Sequence, residues 1–595
     1  MRLGIDFGTT NSAAAVYDGQ HLHPIEMTTP QHSALLPSLL YIDREQHAKM
    51  GLEASAEYVA HETGRAVRWR SRQAGTLEYW VATGGSPELV TENIIVTFDD
   101  AAHGRLLQSI KTGLRNELYS GTQIFDRYYT LDELIALVLG KLKTAAENQF
   151  EQTLDEVVIG RPVKFSEKAW VSNRAEEIIY KAALSVGFKQ ISFQAEPIGA
   201  LYVYHTATAK RTRALVFDFG GGTLDLTIAE VGGGIAPHVL ASRGVLVGGD
   251  DLDKRIMKSL LKYFGEDSSR DLRLPHDFVD MLEDWQTMPE LSRPHNEDIL
   301  RNLRATSKHP ETIDALRSLV TKNLGFSLFN EIERVKIELS NKMMVNFKFQ
   351  HDKIRIFEPI TRWQFESMIR PEIKLVKDGL EAVLNEANVT GDQIDVVLRT
   401  GGSSLVPAFV KLLEDQFGAG KIQDMDPLES VVGGLSIIAH ENAGLKGKYR
   451  GKYVAQPDQL IQSIQTGGKT PYKTYMFGIN QRCYVDQETV LRRIPVELSG
   501  FPAIMPAYID RDQKAEDFLH ITLAHPARIY VGYGTGAATL PQWLRDFTKL
   551  DDMTMEIEDE WYGVRRLQFY RQDFPAGEVV LGGNGAAGAR GKLEA

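Results

Sequence analysis

The chain has 595 residues, more than one hydrophobic core can serve, so about two to four domains are expected. A formal net charge of −12, a pI near 5.8 and the lack of a long basic run argue against nucleic-acid binding as its main task. Cys483 is the only cysteine, which excludes an intrachain disulfide and fits a reducing compartment. The first strand opens at residue 3, leaving no room for a signal peptide, and apolar runs such as 134–139 fall far short of a membrane span. A soluble cytoplasmic protein without a membrane partner is expected.

Residues 3–16 read as a short apolar strand ending at Asp6, a turn of Gly8, Thr9, Thr10 and Asn11, and an apolar return. A further strand is expected over 35–42. Residues 52–105 read as an insertion, helical near 53–60 and turning at 84–87. Ser109, Ile110 and Lys111 follow it. Thr130 and Glu133 have capping-box spacing and open a helix. Its expected apolar stripe is Leu134, Leu137, Val138, Leu142 and Ala145, broken by Lys141. A strand over 156–159 ends at Gly160-Arg161-Pro162. Ser166 is expected to cap a helix that stops at Gly187, and Glu196-Pro197 to open another.

The same order then recurs. Residues 215–231 give an apolar strand with Asp218 at its end, the turn Gly220, Gly221, Gly222 and Thr223, and a return strand carrying Asp225. Glycines permit left-handed backbone and close approach, and successive N–H groups make a nest for phosphate oxygens. A glycine hairpin alone is better explained by a tight turn after a core strand. Two such hairpins about two hundred residues apart could instead grip a polyphosphate from both sides, with Asp6 and Asp218 converging on its metal. Gly248-Gly249-Asp250-Asp251 leads into a helix, and the polar, proline-broken stretch 265–325 reads as a helical insertion. Phe329, Ile332, Val335 and Leu339 form a helical stripe, and Val345, Phe347 and Phe349 alternate as a strand. Thr361 and Gln364 again have capping-box spacing. A strand over 396–399, a turn over 400–404, a helix over 407–417 stopped by Gly418 and a last helix from about 429 complete this half.

The predicted architecture is an α/β lobe over 1–210 with its insertion at 52–105. A related lobe over 211–445 has a helical insertion at 252–340, and its final helix, 429–442, returns toward the first lobe. The lobes would enclose a cleft. Residues 446–468 read as a linker and 469–581 as a β-sandwich, with strands near 521–523, 529–533, 553–557, 567–570 and 579–581 and a helical interruption at 540–547. The Gly/Ala-rich tail 582–595 reads as disordered.

The stretches Asp6-Phe-Gly-Thr-Thr-Asn11, Asp218-Phe-Gly-Gly-Gly-Thr-Leu-Asp225 and Leu398-Arg-Thr-Gly-Gly-Ser-Ser404 resemble the phosphate and adenosine motifs of the actin-like ATPases, a duplicated ribonuclease-H-like fold. Glu196-Pro197 with Ala200-Leu201, the Gly248–Asp251 block and residues 333–340 match further blocks of the seventy-kilodalton heat-shock chaperone family. The motifs at 158–162 and 194–197 look closest to its divergent bacterial YegD-type members. The resemblance covers about residues 1–442 and implies an ATP-binding, slowly hydrolysing conformational switch using ATP/ADP and Mg2+. Within it, Gly8, Thr9, Thr10, Asn11 and Gly220 to Thr223 would cradle phosphates. Asp6 and Asp218 would hold Mg2+ through water. Lys111, Glu196, Asp218, Thr223 and Asp225 would serve hydrolysis, Lys111 as a point charge and Glu196 by orienting water. Gly249, Glu333, Lys336, Ser340, Gly401, Gly402 and Ser403 would meet the nucleoside side. Gly433-Gly434 would lie near the hinge, and Pro162 and Arg174 would form an allosteric relay.

Departures qualify the resemblance. Leu405 stands where the family stacks an arginine on adenine, and Leu428 replaces an aspartate, which weakens the case for adenine specificity. Ser192 and Ala195 replace an arginine and an asparagine, which puts a J-domain co-chaperone in doubt. The usual acidic linker and peptide clamp are missing, so a client or partner protein would be met by the C-terminal β domain. The alternatives are a nucleotide-gated assembly or scaffold protein, or a non-hydrolysing ATP sensor, on the same fold.

Overall fold

The computed structural model describes the chain except residues 28–32, 82–87, 118, 235–236, 268–272, 442–459, 478–480, 496–497, 499–500, 525, 536–539, 560–562 and 585–595. For the rest of 72–96 and for 169–170, 427–429, 476 and 552 it describes backbone only.

Leu3–Asp6 lies at the centre of the first-lobe sheet. It pairs antiparallel with Asn11–Tyr17 and parallel with Glu156–Arg161. Leu22–Pro24 extends one edge and Gln190–Ala195 the other. The second-lobe sheet repeats this plan. Thr212–Phe219 is central, antiparallel to Leu224–Val231 and parallel to Val396–Thr400. His238–Val245 and Ile422–Asp424 form its edges. Asp6 and Asp218 therefore end equivalent strands, opposite Ala13 and Asp225 respectively. The two central strands are buried almost throughout, as expected of strands covered on both faces, and so read as continuous apolar runs.

Between the sheets the helices Glu196–Ala207 and Pro427–Glu441 cross backbone on backbone. A Cβ on Gly434 would stand 1.8 Å from the Gly199 carbonyl oxygen, so no larger residue fits there. The last helix also presses on the first-lobe sheet, where a Cβ on Gly4 would stand 2.5 Å from the Ser436 nitrogen. Gly433 and Gly434 are thus packing glycines at a helix crossing.

Several local expectations need correction. The segment 35–42 is two strands, Leu36–Pro37 and Leu39–Asp43, broken at Ser38, whose hydroxyl donates to the Gly8 carbonyl at 2.9 Å. Ser166 caps nothing: the helix Ala169–Ser185 starts three residues later, with Lys168 in the cap position. The capping box at Thr130 is present, but the buried face of Leu131–Phe150 runs Leu131, Leu134, Ile135, Val138, Leu139, Leu142 and Ala146. The lysine within it is Lys143, held by Glu147, because 3.6-residue spacing from Leu139 selects that position over Lys141.

The first-lobe insertion consists of the helix Leu52–His61, a long hairpin Trp69–Val81 with Glu88–Asp99, and the strand Gly104–Gln108. It meets the helical insertion of the second lobe, which includes His276–Leu282, Pro294–Thr306 and Pro310–Thr321. Tyr58 packs edge-on against Trp285 and Phe326, and Trp69 Nε1 donates to Ser292 Oγ at 2.9 Å. The two insertions close one side of the cleft.

After the expected linker, most of which lies outside the described residues, Ile461–Thr466 is already a strand. The C-terminal region forms sheets of three, four and two strands around two apolar clusters, one with Leu491, Ile557 and Phe569, the other with Ile521, Tyr533, Leu544 and Val579. The helical interruption is a single 3-10 turn, Gln542–Leu544. The start of the tail is ordered, contrary to expectation. Gly582 and Gly583 are buried, Trp543 Nε1 donates to the Gly583 carbonyl at 3.1 Å, and Tyr533 Oη to that of Asn584 at 3.1 Å. Residues 585–595 of that tail lie outside the described residues.

Gly434→Ala is expected to force the two central helices apart, costing about 1–3 kcal/mol or more, as overpacking does. A lowered thermal midpoint for the nucleotide-free protein checks this; an unchanged midpoint would show that the crossing tolerates a methyl group.

Candidate functional site

The two hairpins face one another across a cavity of about 870 Å3. Asp6, Gly8, Thr9, Thr10, Asn11, Lys111 and Glu196 line it from the first lobe. Asp218, Gly220 to Thr223, Asp225, Gly249, Glu333, Lys336, Ser340 and Gly401 to Ser403 line it from the second. Pro162 and Arg174 do not.

The glycine turns are close enough to make a narrow clasp. A Cβ on Gly221 would stand 2.0 Å from Thr10 Oγ1, and one on Gly222 2.8 Å from Thr9 Oγ1. Two carbonyls of the second turn are already satisfied. Gly220 O accepts from the Gly249 amide at 3.1 Å and from Ser403 Oγ at 2.9 Å, and Gly221 O accepts from the Asp250 amide at 2.9 Å. An anion in the clasp would therefore not meet unpaired carbonyls at Gly220 or Gly221. Gly401 adopts φ +80, and a Cβ there would stand 2.3 Å from the Phe219 carbonyl oxygen, so glycine is required for the adenosine-motif strand to turn beside the hairpin.

Lys111 lies on the 3-10 helix Ile110–Arg115, which Ser109 enters in a left-handed conformation (φ 55) that is uncommon outside glycine. Ser38 ties this loop to the first hairpin, its amide donating to Thr10 O at 2.8 Å and its carbonyl accepting from the Ser109 amide at 3.0 Å. Lys111 Nζ donates to Glu196 Oε1 at 2.7 Å in a buried pair. Glu196 opens its helix, where the dipole favours a carboxylate.

Around this pair the charge is lopsided. Burial, then the Glu196 charge, pushes Asp6 up to about 7 against the opposing pull of Lys111. Burial and Glu196 do the same to Asp225, up to about 7, although the Val163 amide donates to its Oδ1 at 2.8 Å. Asp218 is raised well above the usual carboxylate range by burial, then by Glu196, Asp225 and Asp6. These groups can all ionise together only if a cation joins them. Among the described residues no three His, Cys, Asp or Glu side chains are placed to bind a metal ion directly.

On the side that the resemblance assigns to the nucleoside, Lys336 Nζ bridges Asp253 Oδ2 at 2.6 Å and the Gly249 carbonyl at 3.3 Å. Burial alone would lower Lys336, but Asp253 outweighs it and holds the amine charged. Arg399 is anchored to Asp424 at 2.8 Å. Leu405 lines the cavity 51% exposed, and Ile337 lines it 58% exposed. The cavity thus presents aliphatic carbon to solvent where the resemblance implies an arginine. Leu428 lies among the residues whose side chains are not described.

The sequence reading missed Arg115, Asp250, Asp253 and Ile337, all in the cavity wall. Asp250 and Asp253 adjoin Gly249, so the Gly-Gly-Asp-Asp block was the available signal. Ile337 lies inside the matched block 333–340, next to Lys336, and Arg115 carried no signal of its own. Pro162 and Arg174, expected to form a relay, have separate partners. Arg174 donates to the Asn116 and Tyr119 carbonyls at 3.0 and 2.6 Å, whereas Arg161 Nη1 is what meets the Pro162 carbonyl, at 3.0 Å.

A family model described as "Hsp70 protein" matches residues 95–287 and 293–452. The chain is similar to the "Chaperone protein DnaK" of Thermosipho africanus, 27% identical over 350 residues, 58% of this chain and 50% of the relative. The corresponding protein of Thermus thermophilus is 24% identical over 466 residues, 78% of this chain and 64% of the relative. That of Thermotoga maritima is 26% identical over 351 residues, 58% of this chain and 50% of the relative. The chain therefore spans only about half to two thirds of the length of these curated relatives.

Lys336→Met should leave Asp253 buried without its cation and cost about 3–5 kcal/mol. Adding Asp253→Leu should recover most of that loss. Denaturation of the two single variants and the double variant reads the coupling; additive losses would mean that the pair does not act as a unit.

Proposed function

The chain belongs to the Hsp70 protein family, and on that premise we propose that it binds ATP with Mg2+ between its lobes, hydrolyses it slowly and uses the nucleotide state as a chaperone-like switch. The observation that carries this reading is the convergence of both hairpins, Lys111 and Glu196 on one cavity whose buried carboxylates lack a matching positive charge. Mg2+ suits that deficit because it keeps most of its waters and needs few direct protein ligands. Asp6 and Asp218 would hold those waters while phosphate oxygens complete the ion's shell.

In this reading the chain's own groups act by position and charge, without a covalent intermediate. Thr9, Thr10 and the second glycine turn hold the β- and γ-phosphates. Lys111, set by Glu196, places its ammonium beside the terminal phosphate. Glu196 and Asp225 orient the attacking water, and Thr223 supports Asp225 by a hydrogen bond. Lys336, Glu333, Ser340 and the 401–403 turn receive the ribose and base, with Ile337 and Leu405 offering apolar contact to the base. Pro162 and Arg174 would carry the nucleotide state outward, since Val163 contacts Asp225 and Arg174 grips the loop just after Arg115. A client or partner protein would be met by the β-rich C-terminal region. Its departures from the usual peptide clamp, and those at Ser192 and Ala195, favour a partner set different from that of the family's J-domain-coupled members.

Lys111→Ala should lower single-turnover ATP hydrolysis by about 10²–10³-fold, the usual cost of one well-placed electrostatic donor, while Mg-ATP affinity changes little. Phosphate release and equilibrium binding measured on one preparation check this. Turnover equal to wild type would remove Lys111 from the mechanism.

A further inference from the structure

Arg115 closes the 3-10 helix that begins with Ile110 and stands four residues after Lys111. Its Nη2 lies 2.6 Å from the point where a Gly222 Cβ would be, and Thr9 Oγ1 lies 2.8 Å from the same point. The guanidinium thus sits over the second glycine turn, at the place where the two hairpins come together. It belongs to the cavity wall.

The other cations of that wall are all committed. Lys111 is held by Glu196, Lys336 by Asp253, Arg399 by Asp424 and Lys254 by Asp251. Among the described residues, Arg115 alone of these cations forms no hydrogen bond or ion pair. Its surroundings tell the same story: burial lowers it, and only longer-range attraction to Asp250, Asp251, Asp225 and Glu196 opposes that. A half-buried guanidinium with unused donors is costly unless an anion completes it. Its planar fork matches two oxygens of one phosphate, which a lysine ammonium cannot do.

We infer that Arg115 binds the terminal phosphate of the nucleoside triphosphate across the Gly222–Thr9 junction, an inference that rests on the nucleotide site proposed above. Lys111 is tied to Glu196 and so is shared between positioning that carboxylate and facing the phosphate. Arg115 has no such duty and supplies the uncommitted positive charge that tells a triphosphate from a diphosphate. The absence of a side chain at residue 222 is part of the same device, since a Cβ there would crowd both the guanidinium, at 2.6 Å, and Thr9 Oγ1, at 2.8 Å.

The test is equilibrium binding of Mg-ATP and Mg-ADP to the full chain as wild type, Arg115→Gln and Arg115→Lys, with thermal midpoints measured without nucleotide. Arg115→Gln should weaken Mg-ATP binding by about 10–100-fold and Mg-ADP by less than about 3-fold, the scale of charge-assisted hydrogen bonds lost in only one complex. Arg115→Lys should fall between wild type and Arg115→Gln for ATP. The nucleotide-free midpoint of Arg115→Gln should equal or exceed that of wild type, because no protein partner is lost. Equal weakening for both nucleotides, no weakening for either, or a lowered nucleotide-free midpoint overturns the assignment while leaving the nucleotide site standing. Failure of the wild-type chain to bind either nucleotide overturns the site itself, and this assignment with it.

Discussion

An excess of buried negative charge organises the centre of this protein. Asp6, Asp218, Asp225 and Glu196 share one cavity, and among the described residues Lys111 is the only cation paired with any of them. Burying like charges together is unfavourable, so the three aspartates either keep their protons or await a positive partner. In the proposed reading, this cluster, spread over two sheets, receives a ligand that brings its own cation. The glycine turns beside the cluster supply the complementary half, backbone and hydroxyl donors for an anion. A metal–polyphosphate complex satisfies both halves at once.

The fold delivers this arrangement by doing one thing twice. Each lobe places an aspartate at the end of its central strand and follows it with a tight turn, and the same strand order surrounds both. What brings the two copies face to face is the contact between the helices at Gly199 and Gly434, where backbones touch without intervening side chains. The outer insertions then bridge the lobes through Tyr58, Trp285 and Phe326. Such a closed arrangement makes the cleft sensitive to small shifts, since the clasp leaves only a few ångströms between Thr10 and Gly221.

The loop bearing Lys111 and Arg115 is the part most exposed to both chemistry and leverage. Ser38 and Ser109 hold its start against the first hairpin, Glu196 holds its middle, and Arg174 holds the carbonyls at its end. A ligand drawing on either basic residue therefore acts on a segment fastened to three elements. The strained backbone of Ser109 is in keeping with a loop whose geometry is set by its neighbours rather than by its own preference.

Local chemistry sufficed for much of this. Both hairpins, the capping boxes at Thr130 and Thr361, the helix stop at Gly418 and the alternation of Val345, Phe347 and Phe349 are short-range signals, and they were legible as written. The proposed phosphate-side residues were also readable, because they sit inside contiguous motifs. The long hairpin within 69–99, the role of Ser38 and the burial of Lys143 were not, since each depends on contacts with distant segments. Arg115 escaped notice because nothing in its immediate neighbours marks it, and Ile337, although beside Lys336, reads as an ordinary apolar helix position; only the folding of the chain places one over Gly222 and the other in the wall of the cavity. The amino-acid order alone thus determined two matching strand–turn units and their donor groups, through backbone preference and apolar periodicity. Which charges meet, which remain unpaired and how narrow the gap becomes were decided by tertiary packing, because electrostatic and steric terms depend on distances that no local pattern encodes.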